Sequence, residues 1–147
     1  MRTIPITVSA PGSILLTGEH AVIHGYPAIV AAIDQRVTVT ITPLADPVLT
    51  VVSEIAEPQT APLVTLKPEG PYRFVNAAVL RFMSSLEAGL RIEITSEINP
   101  TLGLGSSAAV TIAVLAGLAG RVDGELHTNA LNIIRTCLLY TSPSPRD

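Results

Sequence analysis

Alternation of apolar and polar residues predicts that the amino-terminal two thirds of the chain consist mainly of β-strands. Residues 4–9, 36–42 and 90–95 alternate, and short apolar runs lie at 14–17, 28–33, 48–52 and 63–66. Alternation with a period of two is typical of a strand with one buried face, and short apolar runs between turn residues suit strands buried on both faces. We therefore predict a strand at each of these segments.

Helical periodicity appears later in the chain. A helix of about five turns is predicted to begin at Pro71 and to end before Gly89, because proline suits a first turn and glycine a helix end. A second helix is predicted from Ser107 to Leu118, and a last one over residues 126–134. Strands, a helix, a strand, a glycine-rich loop and further helices in this order predict an α+β domain rather than a regularly alternating α/β domain.

Composition excludes several classes of protein. The chain has 147 residues, 48% of them hydrophobic and 14% charged, with a net charge of −3, which excludes a disordered protein. Lys67 is the only lysine and there is no basic cluster, so we expect no nucleic-acid partner. The most apolar run, residues 108–119, is shorter than the roughly 20 residues that span a bilayer, and the start has no signal-peptide pattern. We therefore expect a cytoplasmic protein without a membrane segment.

The last eleven residues differ from the rest. Residues 137–147, CLLYTSPSPRD, are similar to the translation of a transposase-type sequencing adapter, in order and without gaps. We predict that residues 1–136 are the natural domain, itself incomplete, and that residues 137–147 are a non-native tail. Cys137, the only cysteine, lies in that tail and is given no role.

The glycine-rich segment 100–109, PTLGLGSSAA, is the strongest chemical signal. Gly103 and Gly105 allow a tight turn, and Ser106 and Ser107 open a helix whose first amides lack partners, which favours an anion such as phosphate. A hydroxyl at this turn suits a Mg²⁺ that accompanies a nucleotide. A dinucleotide fingerprint, a nucleophile elbow served by His127, and a simple cap of a core helix remain alternatives, whereas a Walker loop is excluded because the Gly-Lys-Ser/Thr ending is missing.

A second motif covers residues 10–25, APGSILLTGEHAVIHG. Glu19 and His20 follow an apolar strand directly, where a core would otherwise continue. His20 could hydrogen-bond a small polar substrate, and Glu19 could orient a cation; a plain His–Glu pair at a turn is the alternative.

Together, and in this order, the two motifs resemble those of the GHMP small-molecule kinases. The resemblance covers residues 4–136 and implies the fold of ribosomal protein S5 domain 2, ATP and Mg²⁺ as cofactors, and phosphorylation of a small alcohol. The form Gly-Glu-His-Ala-Val resembles the members that phosphorylate mevalonate to 5-phosphomevalonate in isoprenoid biosynthesis. Another GHMP kinase, acting on phosphomevalonate or a sugar, and a catalytically dead nucleotide-binding fragment are the alternatives.

The resemblance also implies roles for individual residues. Ser13 and Glu19 fall in the catalytic set, His20 contacts the substrate, and Ser107 is the Mg²⁺ ligand. The residues that would bind ATP are Pro100, Leu102, Gly103, Leu104, Gly105, Ser106, Ser107 and Ala108.

Two departures from the family pattern stand out. Ser13 occupies the position where the family usually has a lysine, so a cation near the transferred phosphate is missing. The family's general base follows the segment that ends near Thr136, so we expect this chain to lack it and to be inactive alone. The resemblance is also compatible with a homodimer of a longer protein.

Overall fold

The computed structural model describes residues 4–123, which form a five-stranded mixed sheet with helices against it. The strands are β1 (Ile6–Thr17), β2 (Ile29–Leu44), β3 (Val48–Ser53), β4 (Gln59–Pro62) and β5 (Gly89–Ser96). The helices are α1 (Arg73–Phe82) and α2 (Ser106–Asp123). Short 3₁₀ helices cover Ala21–His24, Leu63–Thr65, Met83–Ser85 and Pro100–Leu102.

The sheet has the strand order β1-β2-β5-β3-β4. Only β3 and β5 pair in parallel; the other neighbours are antiparallel. A dinucleotide-binding fold needs a mostly parallel sheet with helices between its strands. The topology therefore excludes that alternative and confirms the α+β prediction.

Alternating residues of the central strands form the core. The inward positions carry large apolar side chains that are almost fully buried, and they are Val37, Val39, Ile41, Leu49, Val51, Leu90, Ile92 and Ile94. The intervening positions carry threonines and an ion pair between Arg91 and Glu93 at 3.0 Å, so the opposite face of the sheet is polar. This pattern explains why β2, β3 and β5 were recognisable from sequence.

The helix α2 crosses the apolar face and is buried on nearly all sides. Small residues, Ala109, Ala113 and Ala116, allow it to lie close to its neighbours. Near its end the buried Arg121 donates to the carbonyl of Ile4 at 3.3 Å, and burial lowers the pKa of this guanidinium. The helix thus holds the start of β1 while its own start lies in the glycine-rich segment.

Two pairs of predicted strands are each one long strand in the structure. The predicted strands at 4–9 and 14–17 both belong to β1, which begins at Ile6 and continues through Pro11 because the register with β2 shifts between Pro11 and Ser13. Residues 28–33 and 36–42 both fall in β2. An edge strand tolerates proline, so the apparent break at Pro11 ends no strand.

The strand predicted at residues 63–66 is wrong. Leu63–Thr65 is a 3₁₀ helix, in which the buried Leu63 anchors a loop. The strand lies just before it, as β4, in a stretch whose alternating residues are only partly buried. Because β4 is at the sheet edge and carries no large apolar residue, its pattern gave no signal.

The helices differ from prediction in length. The helix α1 has 10 residues and passes into the 3₁₀ helix Met83–Ser85, so it is shorter than expected. The helix α2 has 18 residues and passes through Gly120, where a break was expected. Packing of α2 in the core outweighs the roughly 1 kcal/mol cost of a helical glycine. The helix predicted at 126–134 lies outside the described residues.

No helix between residues 4 and 123 is both long and apolar enough to cross a membrane.

Candidate functional site

The glycine-rich segment forms a turn directly before α2. Gly103 and Gly105 have φ angles of 65° and 70°, in the left-handed region that favours glycine. Before them, the side chain of Asn99 caps the 3₁₀ helix Pro100–Leu102, because its Oδ1 accepts from the N–H of Thr101 at 2.9 Å and from its hydroxyl at 2.7 Å. The turn is therefore held at its start by a side chain and allowed at its end by glycine.

The start of α2 presents amides without helical partners. The N–H of Ala109 donates to the carbonyl of Gly105 at 3.0 Å, so the amides of Ser106, Ser107 and Ala108 precede the first such bond. These amides lie at the positive end of the helix dipole, which favours an anion. Ser107 and Ala108 are exposed, whereas Leu104, Gly105 and Ser106 are half-buried. The two interpretations of this segment, a cap of a core helix and an anion site, are therefore compatible, because α2 packs in the core and its first amides are still without helical partners.

The first motif reaches the same place through β1. The N–H of Ser13 donates to the carbonyl of Leu104 at 2.9 Å. A Cβ on Gly105 would lie 2.6 Å from the Oγ of Ser13. Two motifs that are far apart in sequence therefore meet, and the Ser13 hydroxyl lies against the turn that precedes α2.

Glu19 and His20 lie farther along, in the turn after β1. Their side chains are 69% and 85% exposed and approach each other at 3.6 Å. Gly18 makes this turn with a φ of 91° and contacts Ala28 closely. Among the described residues, the structure pairs Glu19 and His20 with each other rather than with the glycine-rich turn.

A cavity of about 250 Å³ lies beside the start of α2. Ser106, Ser107 and Val110 line one side of it, and much of the rest is lined by residues 71–75 together with Ser53, Ile55 and Ala56. The lining is mainly apolar, as is typical of sites that enclose the flat part of a small molecule. Ser106 and Ser107 thus belong both to the predicted anion site and to the wall of the cavity.

Several lining residues were not foreseen from sequence. Tyr72 is buried and donates to the carbonyl of Ala56 at 2.9 Å, which joins the loop after β3 to the start of α1. The guanidinium of Arg73 lies 4.6 Å from the ring centre of Phe74, at the rim of the cavity. Nothing in their sequence pattern marks these residues as cavity walls, because the start of α1, the loop after β3 and the start of α2 come together only in the folded structure.

Metal ligands are scarce in the part of the chain that the structure describes. Residues 4–123 contain no group of three His, Cys, Asp or Glu side chains placed to hold a metal ion. A Mg²⁺ that is bound mainly by phosphate oxygens and water needs only one or two protein ligands. Ser107 is exposed and fits that need, so it could serve as one ligand of a Mg²⁺ that arrives with phosphates.

Comparison with known proteins agrees with this geometry. The family model for the GHMP kinases N terminal domain matches residues 73–139, and that for the galactokinase galactose-binding signature matches residues 2–43. The mevalonate kinase of Archaeoglobus fulgidus is 40% identical over 124 residues, covering 84% of this chain and 40% of the relative. That of Methanothermobacter thermautotrophicus is 35% identical over 122 residues, covering 82% and 38%.

A solved structure has the same fold. The crystal structure of the Methanococcus jannaschii mevalonate kinase superposes with a TM-score of 0.79 at 26% identity, over 94% of this chain and 47% of that one. The architecture is therefore that of ribosomal protein S5 domain 2, as expected. The glycine-rich turn before α2 is one of the two motifs that carry the sequence resemblance. The chain belongs to the GHMP kinase superfamily and carries its amino-terminal domain. Within that superfamily, the curated relatives named above are mevalonate kinases, and the chain spans about two fifths of their length.

Proposed function

We propose that this chain is the ATP-binding part of a kinase that transfers the γ-phosphate of ATP to a small alcohol, with mevalonate as the substrate and 5-phosphomevalonate as the product. The observation that carries the proposal is the contact between Ser13 and Leu104, which joins the two motifs at the start of α2. The names of the curated relatives supply the choice of mevalonate.

The phosphates of ATP would lie against the glycine-rich turn. The amides of Ser106, Ser107 and Ala108 point out of the helix start and would donate to phosphate oxygens. The adjoining cavity of about 250 Å³ would hold the base, with Phe74 and Val75 among its walls. Phosphoryl transfer asks mainly for positioning and charge neutralisation, so a rigid turn that fixes both phosphates and base supplies much of the required chemistry.

The hydroxyl of Ser107 would hold a Mg²⁺ that comes with the nucleotide, and such an ion neutralises charge on the phosphates. The backbone of Ser107 is itself held, because the hydroxyl of Thr111 donates to its carbonyl at 2.8 Å. This bond helps to fix the backbone from which the Ser107 hydroxyl projects.

The alcohol would bind near the end of β1, where His20 contacts it and Glu19 belongs to the catalytic set. Ser13 would lie between this region and the phosphates. A serine can donate a hydrogen bond there, yet it cannot neutralise charge as the lysine usual in the family would. We therefore expect slower transfer than in relatives with that lysine, unless another cation reaches the site.

The general base would come from chain beyond Thr136, so residues 1–147 are expected to bind ATP without turning it over. A homodimer of the longer protein and a cytoplasmic location belong to the same proposal. So does the boundary at residue 136, although the family match runs to residue 139.

The decisive experiment is a coupled ADP-release assay on the protein expressed from its reading frame continued past Thr136. Mevalonate, phosphomevalonate, galactose and homoserine are compared at equal concentrations. We expect turnover of mevalonate to exceed that of the others by about 100-fold, because a site built for one polar substrate rejects the others strongly. Failure to turn over mevalonate would overturn the substrate assignment.

A matched pair of serines tests the phosphate site in the same assay. Ser107→Ala should raise the Mg²⁺ concentration needed for half-maximal rate by about tenfold or more, because removal of a metal's support costs at least that much. Ser106→Ala should leave the Mg²⁺ dependence unchanged. Equal effects of the two substitutions would contradict the role of Ser107.

A sugar kinase is the alternative that a specific observation favours, since the galactokinase galactose-binding signature matches residues 2–43. That match covers the region of Glu19 and His20, which is where the alcohol would bind. Turnover of galactose without mevalonate would select this alternative.

A dead nucleotide-binding protein is the remaining candidate. The serine at residue 13, where the family usually has a lysine, is the observation that keeps it open. This alternative would be selected if the longer protein binds ADP and turns over none of the four alcohols.

A further inference from the structure

Gly12 lies where β1 meets the glycine-rich turn. The pairing of β1 with β2 is irregular here: Pro11 pairs with Arg36, and Ser13 pairs with Ala32. Gly12 between them is buried. The next amide, that of Ser13, donates out of the sheet to the carbonyl of Leu104. The irregular pairing thus turns a backbone donor of β1 towards the turn that precedes α2.

The space at Gly12 is closed on three sides. A Cβ added there would lie 2.8 Å from the carbonyl oxygen of Leu104, and 2.9 Å from the Cδ1 atoms of both Ile33 and Ile98. The two methyl groups are the ends of flexible side chains and can rotate away. The Leu104 carbonyl is backbone, and it moves only if the turn moves with it.

We infer that Gly12 is a positioning residue for the phosphate site, because its missing side chain lets the backbone of β1 hold the Leu104 carbonyl and so fixes the turn at Gly105. This inference rests on the proposed function, since it concerns the same phosphate site. Gly12 touches neither phosphate nor alcohol in this assignment and acts only through the backbone of the turn.

Leu104 directly precedes Gly105, whose φ of 70° sets the direction in which α2 begins. A displaced Leu104 carbonyl therefore changes the direction of the amides at Ser106 and Ser107. Phosphate binding and transfer depend on such directions, and a misplacement of 1 Å can cost about 100-fold in rate. A methyl group at residue 12 should thus weaken phosphate binding as well as lower the stability of the fold.

The experiment is a calorimetric titration of the 147-residue chain with ADP and Mg²⁺, with a thermal unfolding curve for each variant. Gly12→Ala should weaken ADP binding by about tenfold or more. It should also lower the Tm, because the added methyl group meets Ile33 and Ile98 in the core.

Gly117→Ala is the matched control. A Cβ at Gly117 would lie 2.7 Å from the Cδ1 of Ile41, so this substitution also crowds the core, yet it lies in the middle of α2 and away from the turn. The gain from replacing a helical glycine opposes this crowding, so the Tm should change little, and the ADP affinity should stay within about twofold of the wild-type value.

A second variant separates stability from position. Ile33→Val and Ile98→Val delete the two Cδ1 atoms that an alanine at residue 12 would meet, and leave the Leu104 carbonyl as the remaining close atom. The triple variant Gly12→Ala/Ile33→Val/Ile98→Val is compared with the double valine variant. Relative to that background, the Tm cost of Gly12→Ala should shrink, while the loss of ADP affinity should persist.

The outcomes separate the inference from the proposed function. Persistent loss of affinity in the triple variant, with normal affinity in Gly117→Ala, supports the inference. If the triple variant binds ADP as its valine background does, or if Gly117→Ala loses as much affinity as Gly12→Ala, Gly12 is merely structural and the phosphate site itself still stands. If the wild-type chain binds no ADP, both the phosphate site and the role of Gly12 are overturned.

Discussion

The two motifs end in very different surroundings. At the proposed phosphate side, formed by residues 11–13 and 103–107, backbone meets backbone: Ser13 donates to Leu104, and Gly12 and Gly105 leave no room for a side chain. At the alcohol side, the turn formed by residues 18–25, Glu19 and His20 face solvent, and Val22 and Ile23 are each 51% exposed. The phosphate side is thus built within this domain, whereas the alcohol side is an open surface with apolar residues around it.

Nucleotide binding in the proposed kinase should therefore depend on backbone contacts, whereas alcohol binding should depend on exposed side chains. A backbone-lined site is sensitive to single methyl groups, because backbone cannot move aside as a side chain can. An exposed Glu–His pair contributes little to stability, since water competes for both side chains. Substitutions on the phosphate side should therefore change nucleotide binding strongly, and those on the alcohol side should leave it unchanged.

The largest effect is expected for Gly105→Ala. Its φ of 70° is unfavourable for alanine, and the new Cβ would lie 2.6 Å from the Ser13 hydroxyl. We expect ADP affinity, measured by titration, to fall by about 100-fold. Gly103→Ala and Gly25→Ala are graded controls. Both glycines have positive φ angles, and a Cβ added at either would have no described atom within 4 Å apart from its chain neighbours.

These controls share the backbone strain, about 1–2 kcal/mol of stability, without the contact. Gly103→Ala should lower ADP affinity less than Gly105→Ala, and Gly25→Ala should not lower it at all. A loss in Gly25→Ala equal to that in Gly105→Ala would mean that the contact with Ser13 is irrelevant.

A gain of about tenfold in ADP affinity is expected for Ser13→Lys, because a charge-assisted bond to phosphate is worth about 1.5–3 kcal/mol. The fold should be preserved, since Ser13 is only half-buried. Ser13→Gln has a long neutral side chain and serves as the control, which should show no gain.

The kcat of the Ser13→Lys variant of the longer protein is the measurement that can contradict this prediction. A large loss of kcat, with the Tm unchanged, would show that another group already fills the space beside the phosphates. The absence of a positive charge in the wild-type site would then not be a deficit.

Self-association is expected to depend on the alcohol side. Leu15 and Val30 are cross-strand partners, and they are 42% and 59% exposed. Replacing both by serine should reduce the light scattering of concentrated chain severalfold, since exposed apolar patches promote association. The Tm should change little, because an exposed cross-strand pair contributes only about 0.2–1 kcal/mol.

Val64→Ser is the control for association. Val64 is 91% exposed and follows β4, at the opposite edge of the sheet from β1. It should leave the scattering unchanged. If it reduces scattering as much as the double substitution does, association does not depend on the alcohol side.

The smallest effect on binding is expected for His20→Ala. The side chain is 85% exposed and pairs only loosely with Glu19 in the described structure, so stability should change by less than about 0.5 kcal/mol. ADP affinity should stay the same. In the longer protein the KM for the alcohol should rise, with His20→Gln retaining part of the hydrogen bonding; loss of ADP affinity instead would place His20 on the phosphate side.

Much of the fold could be predicted from the chain because local patterns carry it. A short apolar run located β3 and alternating residues located β5, each to within a residue or two, and the mostly apolar run after the glycines located α2. The edge strand β4 was missed, since its partners and not its own residues make it a strand. The glycine-rich turn was recognised because a phosphate site at a helix start needs particular residue types at fixed spacing.

The sequence by itself determined the α+β class and the turn before α2, because side-chain periodicity and glycine placement are local properties of the chain. It indicated the family through the resemblance of its two motifs to those of known kinases. Only the tertiary structure decided that Ser13 lies against Gly105, that Gly12 is closed in by Leu104, and that Glu19 and His20 face solvent. It also decided the cavity, whose walls come from β3, α1 and α2. These are contacts between distant segments, and they depend on strand register and helix packing, which no local pattern specifies.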